Sequence, residues 1–197
     1  MIRKYAPLVA AALILAVLAG SWAWRTTGPT PQATAPGIGG NFHLIDQTGR
    51  PVDQTLLNGK WTVVFFGYTS CPDVCPTTLQ TLGAAAAGMG PERRRLQIVF
   101  ITVDPQRDTP AQLKDYLSSS AFAPGVIGLT GSPAQVAQAA KAYGIYYQKQ
   151  GTGDTYAVNH SSAIYLMNPQ GRFDSVIASG LSPQQTRDSL LKAMRTS

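Results

Sequence analysis

The residues best able to do chemistry in this 197-residue chain are its two cysteines, Cys71 and Cys75, spaced C-x-x-x-C, and one of its two histidines, His160. Two cysteines are too few for a disulfide-stapled mini-protein or a four-cysteine zinc module, so any sulfur chemistry must use this pair. Cys71-Pro-Asp-Val-Cys75 follows an apolar run and opens a helical stretch. At a helix N-terminus the free N–H groups and the positive dipole end favour thiolate over thiol, so either cysteine is expected to serve as nucleophile or metal ligand near neutral pH. Three uses compete. A disulfide across this spacing closes a loop of about five residues and adds only about 2 kcal/mol on the chain-entropy account. Positions four apart on a helix also hold their Cβ atoms ~5–6 Å apart, wider than the ~3.5–4.5 Å of an S–S bridge. Disulfide exchange ordinarily uses C-x-x-C, one residue shorter. A metal ion held between two sulfurs relaxes the spacing demand.

His160 supplies the third donor. It stands just before the apolar run Ala163–Met167, where thioredoxin-like oxidoreductases carry a proline facing the redox pair. The other histidine, His43, sits between Phe42 and Leu44 near the start of the folded part and is given no role. Two thiolates and one imidazole are too soft a set for calcium or magnesium and incomplete for structural zinc, which takes four protein ligands. Copper fits best, since thiolates favour Cu(I) and imidazole suits both Cu(I) and Cu(II). A cage missing a ligand also leaves the ion open to attack by a partner.

These three residues need a scaffold, and the hydrophobic pattern supplies one. Trp61–Gly67 and Leu96–Val103 are nearly continuous apolar, β-branched or aromatic runs, which is how strands covered on both faces of a parallel sheet read. Between them, Cys75 to about Ala87 is the helical crossover that a parallel pair requires. Ligands and chemistry collect at the carboxyl ends of such strands, and the cysteine pair lies there. Thr109-Pro110 starts a helix to about Ser119, and Ser132-Pro133 another through Tyr143. Ile145–Gln148 is followed by a loop over 149–158 and a strand over Ser162–Met167. Asn168-Pro-Gln-Gly171 has the form of a type I turn into a hairpin partner, Arg172–Ala178. A last helix runs from Pro183 to about Met194. Phe42–Ile45 and Pro51-Val52 form a small entrance hairpin around Gln47–Arg50. This order predicts an α/β, thioredoxin-like three-layer fold with an N-terminal hairpin extension.

Composition and charge narrow the partners. With 44% hydrophobic residues, 19 Gly and 14 Pro, the chain is neither a polytopic membrane protein nor a disordered polyelectrolyte. The net charge of +6 suggests an anionic partner, but from Gly39 onward there are 13 Lys and Arg against 10 Asp and Glu. The only basic run, Arg93–Arg95, has no interleaved aromatics, so no nucleic-acid partner is expected. Tyr5–Trp24 is an uncharged stretch long enough to cross a ~30 Å hydrocarbon layer, preceded by Arg3 and Lys4 and flanked by Tyr5, Trp22 and Trp24. Residues 1–25 are therefore expected to be a membrane anchor or an uncleaved signal, 26–38 a Pro/Thr/Gly-rich tether, and 39–197 the copper-binding domain. The positive-inside tendency puts that domain outside the cytoplasm, and the expected location is a bacterial inner membrane with the domain facing the periplasm. A cleaved signal peptide exports it equally well.

Phe66-Gly-Tyr-Thr-Ser-Cys71-Pro-Asp-Val-Cys75-Pro-Thr-Thr, then Val99-Phe-Ile-Thr-Val-Asp104-Pro-Gln-Arg-Asp108-Thr-Pro, then His160 before a strand, closely resembles the Sco (SCO/SenC) family of membrane-tethered copper chaperones. The resemblance spans roughly 40–195. It implies a thioredoxin-like fold and one copper held by Cys71, Cys75 and His160. It implies as partner the apo copper-centre domain of cytochrome c oxidase subunit II, whose dinuclear copper centre the family helps to assemble. The family often has an acidic residue before that histidine, whereas this chain has Asn159, which removes an outer carboxylate. Asp104 and Asp108 have two readings: fixing the turn and helix start, or tuning docking and release near the metal mouth. Tyr68, Pro72 and Asp73 are candidates for the partner surface. The competing function is thiol–disulfide reduction of the same target's cysteines. A thiol peroxidase needs an arginine beside a single low-pKa cysteine, and none lies close to the pair along the chain.

Overall fold

The structure, a computed structural model, describes residues 37–153 and 155–196. The segment expected to anchor the chain, 1–25, and nearly all of the expected tether lie outside the described residues. Among the described residues no helix is long and apolar enough to cross a membrane.

The centre of the fold is β3 (Trp61–Gly67), whose seven residues are all buried. It pairs in parallel with β4 (Leu96–Thr102) on one side, and antiparallel with β8 (Ile164–Met167) on the other. β5 (Ile127–Thr130) adds to β4 in parallel, and the entrance hairpin β1 (His43–Asp46) and β2 (Pro51–Asp53) extends that side. β9 (Phe173–Ile177) pairs with β8, giving a seven-stranded sheet of order β2-β1-β5-β4-β3-β8-β9.

Helices cover both faces, and the alternation of β3 shows how. Phe65 stacks at a tilt on Phe100 of β4, which meets Tyr116 of α2 (Pro110–Leu117). Phe66, on the opposite face, meets Tyr143, the residue that ends α3 (Pro133–Ala142), and Tyr143 in turn meets Tyr165 of β8. Successive strand residues point to opposite faces, so a strand buried throughout must be apolar throughout. α1 (Val74–Ala87) follows β3 and packs beside α4 (Pro183–Thr196). The mixed α/β arrangement is thioredoxin-like, and the entrance hairpin is where the sequence places it. Its turn is held by Asp46, whose carboxylate accepts from the Thr48 and Arg50 amides and the Thr48 hydroxyl.

Two segments differ from the sequence expectation. The stretch expected to be a loop, 149–158, is a loop over its described middle residues, 151–153 and 155–156, but its two ends belong to a two-stranded ribbon, β6 (Tyr147–Gln150) against β7 (Ala157–His160), separate from the main sheet. β5 lies in a stretch, 120–131, assigned no element, because four residues containing Gly128 carry little pattern; that glycine has no side chain where Leu117 of α2 presses on the strand.

Candidate metal centre

The site lies at the carboxyl end of β3. After Gly67 the chain turns through Tyr68, with the Cys71 amide donating to the Tyr68 carbonyl at 3.2 Å, and α1 begins at Val74. This puts Cys75 in the first helical turn, fully buried, while Cys71 sits half-buried in the preceding turn. Both are free thiols. A side chain at Gly67 would put its Cβ 2.8 Å from Cys75 Sγ and 2.8 Å from the Phe100 ring, so only glycine lets the helix start settle this close to the strand end.

His160 is the last residue of β7, and the ribbon swings it over the helix start. Its Nε2 lies 3.8 Å from Cys75 Sγ, and its Nδ1 lies 3.0 Å from the Ser161 carbonyl oxygen. A carbonyl only accepts, so Nδ1 carries a proton, and in the neutral ring this leaves the Nε2 lone pair facing the sulfur. The Tyr68 ring stands edge-on to the imidazole, 5.9 Å between centroids. The structure thus joins Cys75 and His160. Cys71 neighbours the pair, acting on both the Cys75 thiol and the Tyr68 hydroxyl. Among the described residues no three Cys, His, Asp or Glu side chains form a ready-made metal cage.

The electrostatics correct one expectation. Burial pushes the Cys75 thiol far above its ordinary value; the Tyr68 backbone works against the shift, and Cys71 and Asp108 add to it. The helix N-terminus favours thiolate by a kcal/mol or so, whereas desolvating a buried charge costs several, so Cys75 rests as a protonated thiol. It can point that proton at His160 Nε2. The donor chemistry suits a soft or borderline ion: metal–sulfur and metal–nitrogen bonds of ~2.3 and ~2.0 Å together exceed the 3.8 Å gap, so one ion can touch both atoms without either backbone moving.

Asp104 and Asp108 are framework residues of the site. Asp108, fully buried, accepts from the Thr69 amide (3.0 Å), the Thr69 hydroxyl (2.6 Å) and the Thr102 hydroxyl (2.6 Å), tying the cysteine loop to the end of β4. It does not cap α2; Thr109 does, accepting from the Gln112 amide. Burial raises the Asp108 carboxyl, with the Thr102 and Thr69 hydrogen bonds opposing. Asp104 bridges two groups, accepting from Arg107 Nε at 2.5 Å and from the Tyr156 hydroxyl at 2.6 Å. Burial, then the bond to Asp104, push the Tyr156 hydroxyl up to about 12, so it remains a donor. Arg107 lies in the Asp104–Pro110 block quoted with the cysteine motif but was given no role of its own, and Tyr156 lies in no motif. Tyr68, a candidate for the partner surface, is buried beneath His160, whereas Pro72 and Asp73 are exposed. His43, given no role, is exposed on β1.

The SCO1/SenC family model matches residues 30–195. The chain belongs to the SCO1/SenC family. Among its relatives, Protein SCO1 homolog 1, mitochondrial, of Arabidopsis thaliana is 40% identical over 168 residues, 84% of this chain but 49% of that protein. The chain thus spans about half the length of that relative. Among solved structures, copper-bound ScoI of Bradyrhizobium japonicum is 42% identical, with a TM-score of 0.72 over 80% of this chain and 99% of that one. Yeast Sco1 with copper bound is 36% identical, with a TM-score of 0.75 over 82% of this chain and 91% of that one. The SCO1/SenC membership and these matches agree with the thioredoxin-like reading of the fold.

Proposed function

We infer that this SCO1/SenC protein is a copper carrier, binding one copper through Cys71, Cys75 and His160 and passing it on by thiolate exchange. The observation that carries this is the approach of His160 Nε2 to Cys75 Sγ at 3.8 Å, from residues 85 apart in sequence and on separate elements. Supporting it, solved relatives of similar fold carry copper. Copper is cargo here: two sulfurs and one nitrogen leave a coordination position through which an acceptor's ligand can enter. The acceptor is the apo copper-centre domain of cytochrome c oxidase subunit II; a solved family member, BsSco, is a cytochrome c oxidase assembly protein. Residues 1–25 hold the chain in a bacterial inner membrane, with the domain in the periplasm.

A second reading, reduction of the acceptor's disulfide, is favoured by one feature: both thiols are free, and the half-buried Cys71 stands outside the buried Cys75, as an attacking thiol stands before a resolving one. Anaerobic titration of the reduced full-length chain with Cu(I) and Cu(II) separates the two. One copper per chain, lost or much weakened in His160→Ala, Cys71→Ser and Cys75→Ser, supports the carrier. Equal binding by wild type and His160→Ala, with efficient reduction of a partner disulfide, replaces it with the reductase.

A further inference from the structure

Arg107 belongs to neither the cysteine loop nor the ribbon, yet it grips both. Its guanidinium carbon lies 3.7 Å from the Tyr156 ring centroid and 5.7 Å from that of Tyr68. Nη1 donates to the Tyr156 carbonyl oxygen at 2.9 Å, and Nε donates to Asp104. Asp104 closes the ring of contacts by accepting from the Tyr156 hydroxyl. Each tyrosine leads to His160 by a different route. Tyr156 immediately precedes β7, the strand that ends in His160, while Tyr68 packs edge-on against the imidazole itself. Lys149, within the ribbon on β6, also lies over the Tyr156 ring, 3.8 Å from its centroid, so Arg107 is the cation that meets this ring from outside the ribbon.

We propose that Arg107 is a positioning residue for His160, pinning the β6–β7 ribbon to the body of the protein so that Nε2 is presented to Cys75. The ribbon needs such a pin. It makes no strand pairing with the seven-stranded sheet, and an isolated two-stranded hairpin is at best marginally stable in water. The pin needs arginine. A lysine retains a cation over the rings, but it lacks the planar fork that reaches Asp104 and the Tyr156 carbonyl together while stacking on Tyr156.

The proposal rests on His160 being a copper donor, and the test separates the two claims. In the copper-free, reduced full-length chain, amide hydrogen exchange over 157–160 is compared among wild type, Arg107→Lys and Arg107→Gln. Exchange is expected to quicken about tenfold in Arg107→Gln and less in Arg107→Lys, with the β3 and β4 amides unchanged. Copper affinity is then expected to fall about 10- to 100-fold in Arg107→Gln, the range for residues that orient a ligand from outside. In a His160→Ala background the same substitution should cost nothing further. Unchanged exchange over 157–160, or a copper loss that adds in full to that of His160→Ala, overturns the proposal. If His160→Ala binds copper as well as wild type, the donor assignment fails, while the exchange data still decide whether Arg107 pins the ribbon. Should Arg107→Gln not fold, Arg107→Lys alone decides, by the same two readouts.

Discussion

Gly67 and Cys75 share one small volume: the sulfur of the buried cysteine lies 2.8 Å from where any β-carbon on residue 67 would stand. The last residue of the central strand is therefore part of the candidate metal centre without offering it an atom. Gly67→Ala must displace either the Phe100 ring or Cys75, and overpacking of this kind costs about 1–3 kcal/mol. Urea unfolding of the reduced chain measures that loss. Copper affinity should fall with it, whereas Gly59→Ala, at a turn glycine with open space where a β-carbon would stand but with φ of +85°, should cost stability alone.

Asp108→Ala leaves three buried or half-buried donors, on Thr69 and Thr102, without their acceptor. The loss is expected to be on the order of 3 kcal/mol, since hydrogen bonds to a charged group are worth about 1.5–3 kcal/mol and their orphaned partners add desolvation cost. Asp108→Asn keeps one acceptor oxygen and should lose about half as much. Thermal unfolding of both variants checks the order.

The raised Cys75 thiol makes stability depend on pH in a definite direction. In the unfolded chain the thiol ionises near its ordinary value of 9.0, while the folded chain holds its proton to higher pH. The folded state therefore binds the extra proton, and the contribution is fully present below pH 9.0 and is lost as pH rises above it. Tyr116 and Tyr143, also raised by burial, add a further decline from their ordinary 10.0 upward. Urea midpoints of the reduced chain, taken in steps from neutrality, should fall from pH 9.0; in Cys75→Ala the fall should begin only near 10.0.

The same protonated thiol couples metal uptake to proton release. A thiol must lose its proton to bind a metal, so apparent copper affinity should rise about tenfold per pH unit for each proton displaced. Competition with a Cu(I) chelator across the neutral range reads this slope. A slope of zero would mean that Cys75 is not a ligand.

The sequence was most legible where burial was two-sided. Trp61–Gly67 and Leu96–Thr102 are apolar at nearly every step, and the C-x-x-x-C pair falls where the strand-to-helix turn must be. The β6–β7 ribbon was not legible, because it buries almost nothing: of Tyr147–Gln150 and Ala157–His160 only Val158 is buried, so no apolar alternation marks it. The raised Cys75 thiol was not legible, because helix position can be read from sequence, whereas depth of burial at Cys75 depends on what β3 and Phe100 leave beneath it. Arg107 stands in the quoted Asp104–Pro110 block, but its role was not legible, because it lies 32 residues beyond Cys75 along the chain and reaches the site through two aromatic rings.

The 85-residue separation of Cys75 from His160 also orders events in time. Contacts this distant in sequence close late, after the loop between them has been shortened by the strands and helices it contains. A chain still emerging, or folded only as far as β5, presents two thiols and no imidazole from the ribbon. The proposed donor set is thus complete only once β7 has been added, with β8, β9 and α4 still to follow along the chain.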